Sequence, residues 1–201
     1  MHRSRATLLH SPISIKTWLA QIPSVDVVRP SHCPHCQSAS RPPGQPLRLV
    51  GHGLTRRQVR AVLEEGGPAR LAALALRRFL CRACQRTCTV APADVLVRRL
   101  FCRTALVLAL TFWAVLGQPA SEVRRTLSDQ STFDGDDWPQ LRRWSRSAAS
   151  GALFGTPSVP AAAPPRSLAA AVVGHLRALA PAFVQGLGAV AEALAGARRR
   201  R

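Results

Sequence analysis

Two short motifs constrain this chain more than anything else in it: CPHC, with Cys33 and Cys36, and CRAC, with Cys81 and Cys84. Thiolates two residues apart on a tight turn can share one metal ion, and a closed structural zinc site takes four ligands in a tetrahedron. One motif supplies half of such a site, so the two halves predict a fold that brings residue 33 to residue 84. Residues 37 to 80 lie between them, which is more than the roughly 15 to 20 of the commonest two-motif sites, so the insert must form a hairpin of its own. The expected cofactor is a structural Zn²⁺ held by Cys33, Cys36, Cys81 and Cys84.

The competing readings are weaker. A redox CxxC sits at a helix N-terminus beside a βαβ pattern, and no such pattern follows either motif. His32 and His35 flank the first pair and are alternative ligands, with solvated imidazoles as the default. Cys88 could substitute as a ligand but reads better as a small packing residue, and Cys102 has no assigned role.

The hairpin can be read in the insert. LRLVGHGLTRRQVRAVL and ARLAALALRRFLC flank the turn signal EEGGP, although the Ala and Leu content also permits a short helix. From Val97 the pattern turns helical, with RRLFCRTALVLALTFWAVL stopping at Gly117-Gln118-Pro119. Ser121 is the expected cap of SEVRRTL, and Asp137-Trp138-Pro139 opens a third helix after the loop SDQSTFDGD. Residues 151 to 166 read as a Pro/Ala-rich linker, and Leu168, Val172, Leu176 and Leu179, then Phe183, Leu187, Val190 and Leu194, mark C-terminal helical faces.

The expected fold is therefore α+β but mostly α: a small zinc β-ribbon, then a three-helix, helix-turn-helix-like bundle, then C-terminal helices. The expected segments are residues 1 to 30 (with KTWLAQ as a helical turn), the ribbon at 31 to 96, the helix-turn-helix-like domain at 97 to 150, the linker, and helices with a basic tail at 167 to 201.

Charge bears on function. The chain carries 28 Lys+Arg against 10 Asp+Glu, a formal net charge of +18. Nearly all of the cations are arginine, whose planar fork suits phosphate, so a polyanion is the expected partner, nucleic acid being the commonest one and an anionic membrane surface the competitor. Projecting the third helix puts Trp138, Leu141, Trp144 and Ala148 on one stripe and Arg142, Arg143 and Arg146 opposite. Those three are the candidate base and phosphate contacts. Arg124 and Arg125, with Arg98, Arg99 and Arg103, are candidate positioning contacts, and the terminal RRRR is a solvated tail. Arg82 and Arg86 would display charge around the second CxxC.

These residues carry a resemblance. CPHC, a long insert, and RRFLCRACQRTCTV followed by APADVLVRRL resemble the N-terminal zinc ribbon of bacterial insertion-sequence transposases, and DDWPQLRRWSRSA is similar to the helix-turn-helix region behind it. The likeness spans residues 25 to 155. Gln85 and Cys88 stand where that family has glycine and an aromatic. Such transposases continue into a domain with three metal-binding carboxylates, whereas after Ala149 the only acid here is Glu192. Two-metal phosphoryl transfer needs several carboxylates converging on one site, so the resemblance implies DNA binding without catalysis.

The expectation is a zinc-dependent DNA-binding protein, not an enzyme, with no small-molecule substrate and room for a homo-oligomer. No signal peptide is read, and the longest apolar run, Ala105 to Gly117, is short of the roughly 20 residues of a membrane span, so a cytoplasmic, nucleoid-associated protein without membrane contact is expected. The alternative is a zinc-ribbon protein-interaction module. RNA binding is disfavoured by the lack of tyrosine, and a thiol oxidoreductase is the enzymatic alternative.

Overall fold

The computed structural model describes residues 7–64, 67–128, 137–155 and 162–199. It forms two compact units, one of Met1–Val59 with Ala72–Leu100 and one of Arg60–Leu71 with Phe101–Arg201.

The first unit is built on a sheet. Its elements are β1 (Thr7–Ser11), α1 (Ile15–Ala20), most of β2 (Leu49–Val62) and β3 (Ala69–Cys81), and β4 (Thr87–Pro92). The strand order is β1-β4-β3-β2. β3 runs antiparallel to β4 with Phe79 opposite Cys88, and β1 runs parallel to β4 with Leu9 opposite Val90. β2 and β3 flank the short link 63–68, a length that joins antiparallel neighbours only. The core collects Leu49, Val59, Leu74, Leu76, Phe79 and Val90. α1 starts where the Ser14 hydroxyl accepts a bond from the Thr17 N–H at 3.1 Å, and buries Trp18, whose indole N–H donates to the Ala75 carbonyl at 2.9 Å.

The second unit is helical: α2 (Arg103–Ala114), α3 (Ala120–Leu127), α4 (Pro139–Ala149), α5 (Pro165–Ala178), a 3₁₀ turn Ala182–Val184 and α6 (Ala189–Arg199). α2 buries every residue from Ala105 to Thr111. A helix that is apolar all round needs neighbours all round. It gets them from α5 and α6 as well as from α3 and α4. The α5–α6 pair is tied by Glu192, buried, which accepts from Arg177 at 2.6 Å and from the Gly186 N–H at 2.8 Å. No helix among the described residues is long and apolar enough to cross a membrane.

The expected architecture is corrected here. The chain is α+β, but in place of a small zinc ribbon there is a four-stranded mixed sheet whose long strands hold 14 and 13 residues, joined by an N-terminal strand that sequence reading did not foresee. Among the described residues the three-helix, helix-turn-helix-like bundle is not formed as such either. That motif packs its second and third helices on each other, whereas α4 packs chiefly on α5. The physical reason lies in the apolar stripes: Leu168, Val172, Val173 and Leu176 of α5 are all buried, so the C-terminal helices complete the core around α2 rather than follow it. The helix expected from Val97 begins only at Arg103, because Cys102 caps it, its sulfur accepting from the Ala105 N–H at 3.4 Å. α3 is preceded by Pro119 and α4 by Trp138, instead of the side-chain caps Ser121 and Asp137. Most of the SDQSTFDGD loop, linker residues 156 to 161, and the last two arginines lie outside the described residues.

Candidate metal centre

Both CxxC motifs fold into the same turn. In the first, the Cys33 N–H donates to the Ser38 carbonyl at 2.9 Å and the Gln37 N–H to the Cys33 carbonyl at 2.9 Å. In the second, the Cys81 N–H donates to the Arg86 carbonyl at 2.9 Å and the Gln85 N–H to the Cys81 carbonyl at 2.8 Å. The matching residues Gln37 and Gln85 both adopt positive φ, 57° and 58°. A left-handed residue with a Cβ costs roughly 1–2 kcal/mol. At Gln85 the side-chain amide donates to the Arg82 carbonyl at 2.9 Å, which offsets part of that cost.

Different elements position the two turns. Cys81 ends β3 and Thr87 starts β4, so the second turn is the tip of a strand pair. The first lies in irregular chain closed by a bridge between His32 and Ala39. Backbone bonds join them: Arg82 N–H to the Arg48 carbonyl at 2.8 Å, Arg48 N–H to Ser40 at 3.0 Å, and Ser40 N–H to Ser31 at 2.8 Å. Arg29 fastens the approach, donating to Leu49 and to Asp26 and lying 5.8 Å from the Phe79 ring centroid.

The four sulfurs lie within 4.8 Å of one another. The Sγ atoms of Cys33 and Cys84 are 3.7 Å apart, as are those of Cys36 and Cys81. All are free thiols, far beyond the roughly 2.05 Å of a disulfide. A tetrahedron with metal–sulfur bonds of about 2.3 Å has edges of about 3.8 Å, so the cage fits a metal ion of that size. The donor set is all sulfur, with no carboxylate in residues 27 to 63 or 67 to 93. His35 is not part of it, since its Nε2 lies 3.2 Å from the Thr87 carbonyl, nor is His32, whose Nδ1 lies 3.2 Å from the Ser31 hydroxyl. Cys88 is buried in β4 behind the cage.

Electrostatics differentiate the sulfurs. Ser38, through its hydroxyl and its N–H, holds the exposed Cys36 thiol down to about 6. Burial pushes Cys81 upward, but the N–H groups of Cys84 and Ala83 and the Ser38 hydroxyl outweigh it, leaving that thiol below its ordinary value. Burial pushes Cys84 up to about 12; burial, then the electrostatic influence of the neighbouring cage sulfurs, pushes Cys88 up to about 11. An incoming dication therefore displaces a proton from Cys84 at any physiological pH, and from Cys36 as well below about pH 6. Metal affinity measured by chelator competition is expected to rise with pH, about tenfold per unit for each displaced proton, and to fall more steeply below pH 6. A flat profile would mean that the thiols are not the ligands.

The candidate arginines divide between the two units. Arg142, Arg143 and Arg146 are exposed on α4 opposite the buried Leu141, Trp144 and Ala148. Arg142 pairs with Asp137 at 3.3 Å. On α3, Arg125 is exposed and Arg124 partly buried. Arg98 (exposed) and Arg99 belong to the sheet unit, so they do not open α2. Arg103 does open it and donates to the Ala197 carbonyl at 2.9 Å. Arg82 and Arg86 are exposed beside the sulfurs. Sequence reading missed Ser38, which no motif singles out, and the Arg177–Glu192 tie between helices.

No protein-family model matches this chain, and no curated protein or solved structure matches it.

Proposed function

We propose that this is a DNA-binding protein whose sheet unit is held by a structural zinc ion in Cys33, Cys36, Cys81 and Cys84. The zinc assignment rests on the donor chemistry: four thiolates in a tetrahedron suit Zn²⁺, or an iron–sulfur centre, which colour would betray. The observation that carries DNA binding is the arginine face of α4, where Arg142, Arg143 and Arg146 meet solvent while Leu141, Trp144 and Ala148 fill the core, in a chain of net charge +18. An exposed helix face with three forked cations can donate to phosphate oxygens, and a strongly basic chain supplies the long-range attraction.

The test is duplex affinity as a function of salt. Each phosphate neutralised steepens the log–log slope by about 0.9, so replacing Arg142, Arg143 and Arg146 together by alanine is expected to flatten it by about 3 and weaken binding across sequences. Affinity that does not respond to salt or to these replacements would overturn the reading. It would favour a protein-interaction module instead, a reading that Phe183 and Leu187, at 83% and 69% exposure, independently support.

A further inference from the structure

The four sulfurs are not equally accessible. Cys36 is exposed, Cys84 is intermediate, and Cys33 and Cys81 are 1% and 0% accessible. The exposed sulfur is in contact at 3.7 Å with the buried Cys81 of the other motif. The Ser38 hydroxyl sits 3.1 Å from Cys36 Sγ and 3.7 Å from Cys81 Sγ, beside the pair.

We propose that the metal centre is also an oxidation site, at which the Cys36 thiolate attacks a peroxide and the product closes a disulfide across the two motifs, to Cys81, with release of the metal. The proposal rests on the zinc reading. In the first step the Cys36 thiolate takes the distal oxygen of the peroxide, the O–O bond breaks, and a sulfenic acid and hydroxide (or alkoxide) form. In the second, the Cys81 thiolate attacks the Cys36 sulfur, the S–O bond breaks, and a second hydroxide leaves. Two thiolates have lost one electron each, the peroxide has gained both, and the hydroxides take protons from solvent.

Geometry selects both steps. Only Cys36 is exposed enough for an oxidant to approach freely, and a sulfenic acid there meets Cys81 at van der Waals distance. The Ser38 hydroxyl is placed to donate a hydrogen bond to the departing oxygen. Exposed Arg82 and Arg86, with no carboxylate in the surrounding sequence, offset part of the thiolate charge at that edge. With two ligands gone, the ion loses its cage. The new S–S bond then ties the same two turns that the metal tied, so oxidation empties the site without freeing the irregular first turn. That outcome differs from chelation, which leaves nothing in the metal's place.

The experiment uses the full-length protein with its metal counted beforehand. Hydrogen peroxide is added; released metal is read with a chromogenic chelator, remaining thiols with a thiol reagent, and crosslinks by peptide mapping without reduction. The expected result is loss of one equivalent of metal together with two thiols, a crosslink joining the Cys36 peptide to the Cys81 peptide, folded-state fluorescence from Trp18, and metal rebinding after a dithiol reductant. Cys88→Ser should leave the crosslink unchanged. Crosslinks within one motif, Cys33 to Cys36 or Cys81 to Cys84, or metal release with no crosslink, overturn the proposal. A protein that keeps its fold with no metal at all defeats the zinc reading instead, and there the Cys36–Cys81 crosslink is still required by their contact.

Discussion

Removing the metal is expected to unfold the sheet unit at neutral pH. Residues 31 to 48, which carry Cys33 and Cys36, contain no strand or helix beyond the single His32–Ala39 bridge. Their hold on the sheet is a few backbone bonds and the contact of His35 with the Thr87 carbonyl, too little to offset the entropy of ordering so long a stretch at about 1–2 kcal/mol per residue. A structural zinc contributes roughly 10–16 kcal/mol of apparent binding free energy, as much as or more than the roughly 5–15 kcal/mol that is the whole net stability of a typical domain. Stripping the ion, or Cys33→Ser, is thus expected to cost the unit its cooperative melting transition. The reporter is Trp18, the only tryptophan of that unit, which is fully buried against β3 and should shift to a solvent-exposed emission. Cys88→Ser separates this from a general sensitivity to thiol loss: it is expected to keep the metal and lose only about 1–3 kcal/mol for a buried hydroxyl. Identical melting with and without metal would remove the structural role.

What was legible in the sequence followed from how local each signal is. The sulfur cage was legible because ligands two residues apart on a turn are a short-range pattern, and the EEGGP turn announced the β2–β3 pair that carries one half of it to the other. The stripe Leu141, Trp144, Ala148 was legible because a 3.6-residue period is written directly in the residues. The sheet was not. β1 is five residues with no alternation, and its parallel pairing to β4 joins Leu9 to Val90, a partnership that nothing local encodes. ARLAALAL could be helix or strand by composition, and its pairing with neighbouring strands decided it. The helical unit failed in a more instructive way. Apolar residues all round α2 signalled burial, but burial by how many helices is a question of packing, and α5 and α6 answered it. The start of α2 is hidden in the sequence because cysteine is an unusual cap, so the helical pattern from Val97 takes in Arg98 and Arg99 although the helix begins at Arg103.

Gly196→Ala is expected to be the most damaging single methyl in the helical unit. A β-carbon there would stand 1.6 Å from the Leu176 carbonyl oxygen and 2.6 Å from its carbonyl carbon. The obstacle is backbone of α5, so no side chain can swing aside to relieve it. α6 would have to move away, and it is held in place by the Arg177–Glu192 bond and by the Ala197 carbonyl that accepts from Arg103. Overpacking of this kind costs about 3 kcal/mol or more. For a chain of this size that lowers the melting temperature by roughly 6–12 °C. The sign makes the test sharp, because glycine to alanine inside a helix otherwise stabilises by about 1 kcal/mol through propensity alone. Gly174 on α5 supplies that contrast: it is exposed, and a β-carbon there meets nothing within 4 Å. Gly174→Ala should therefore raise the melting temperature of the unit while Gly196→Ala lowers it. If both substitutions stabilised, α6 would not be seated on α5 at Leu176, and the C-terminal helices would lose their place in the core around α2.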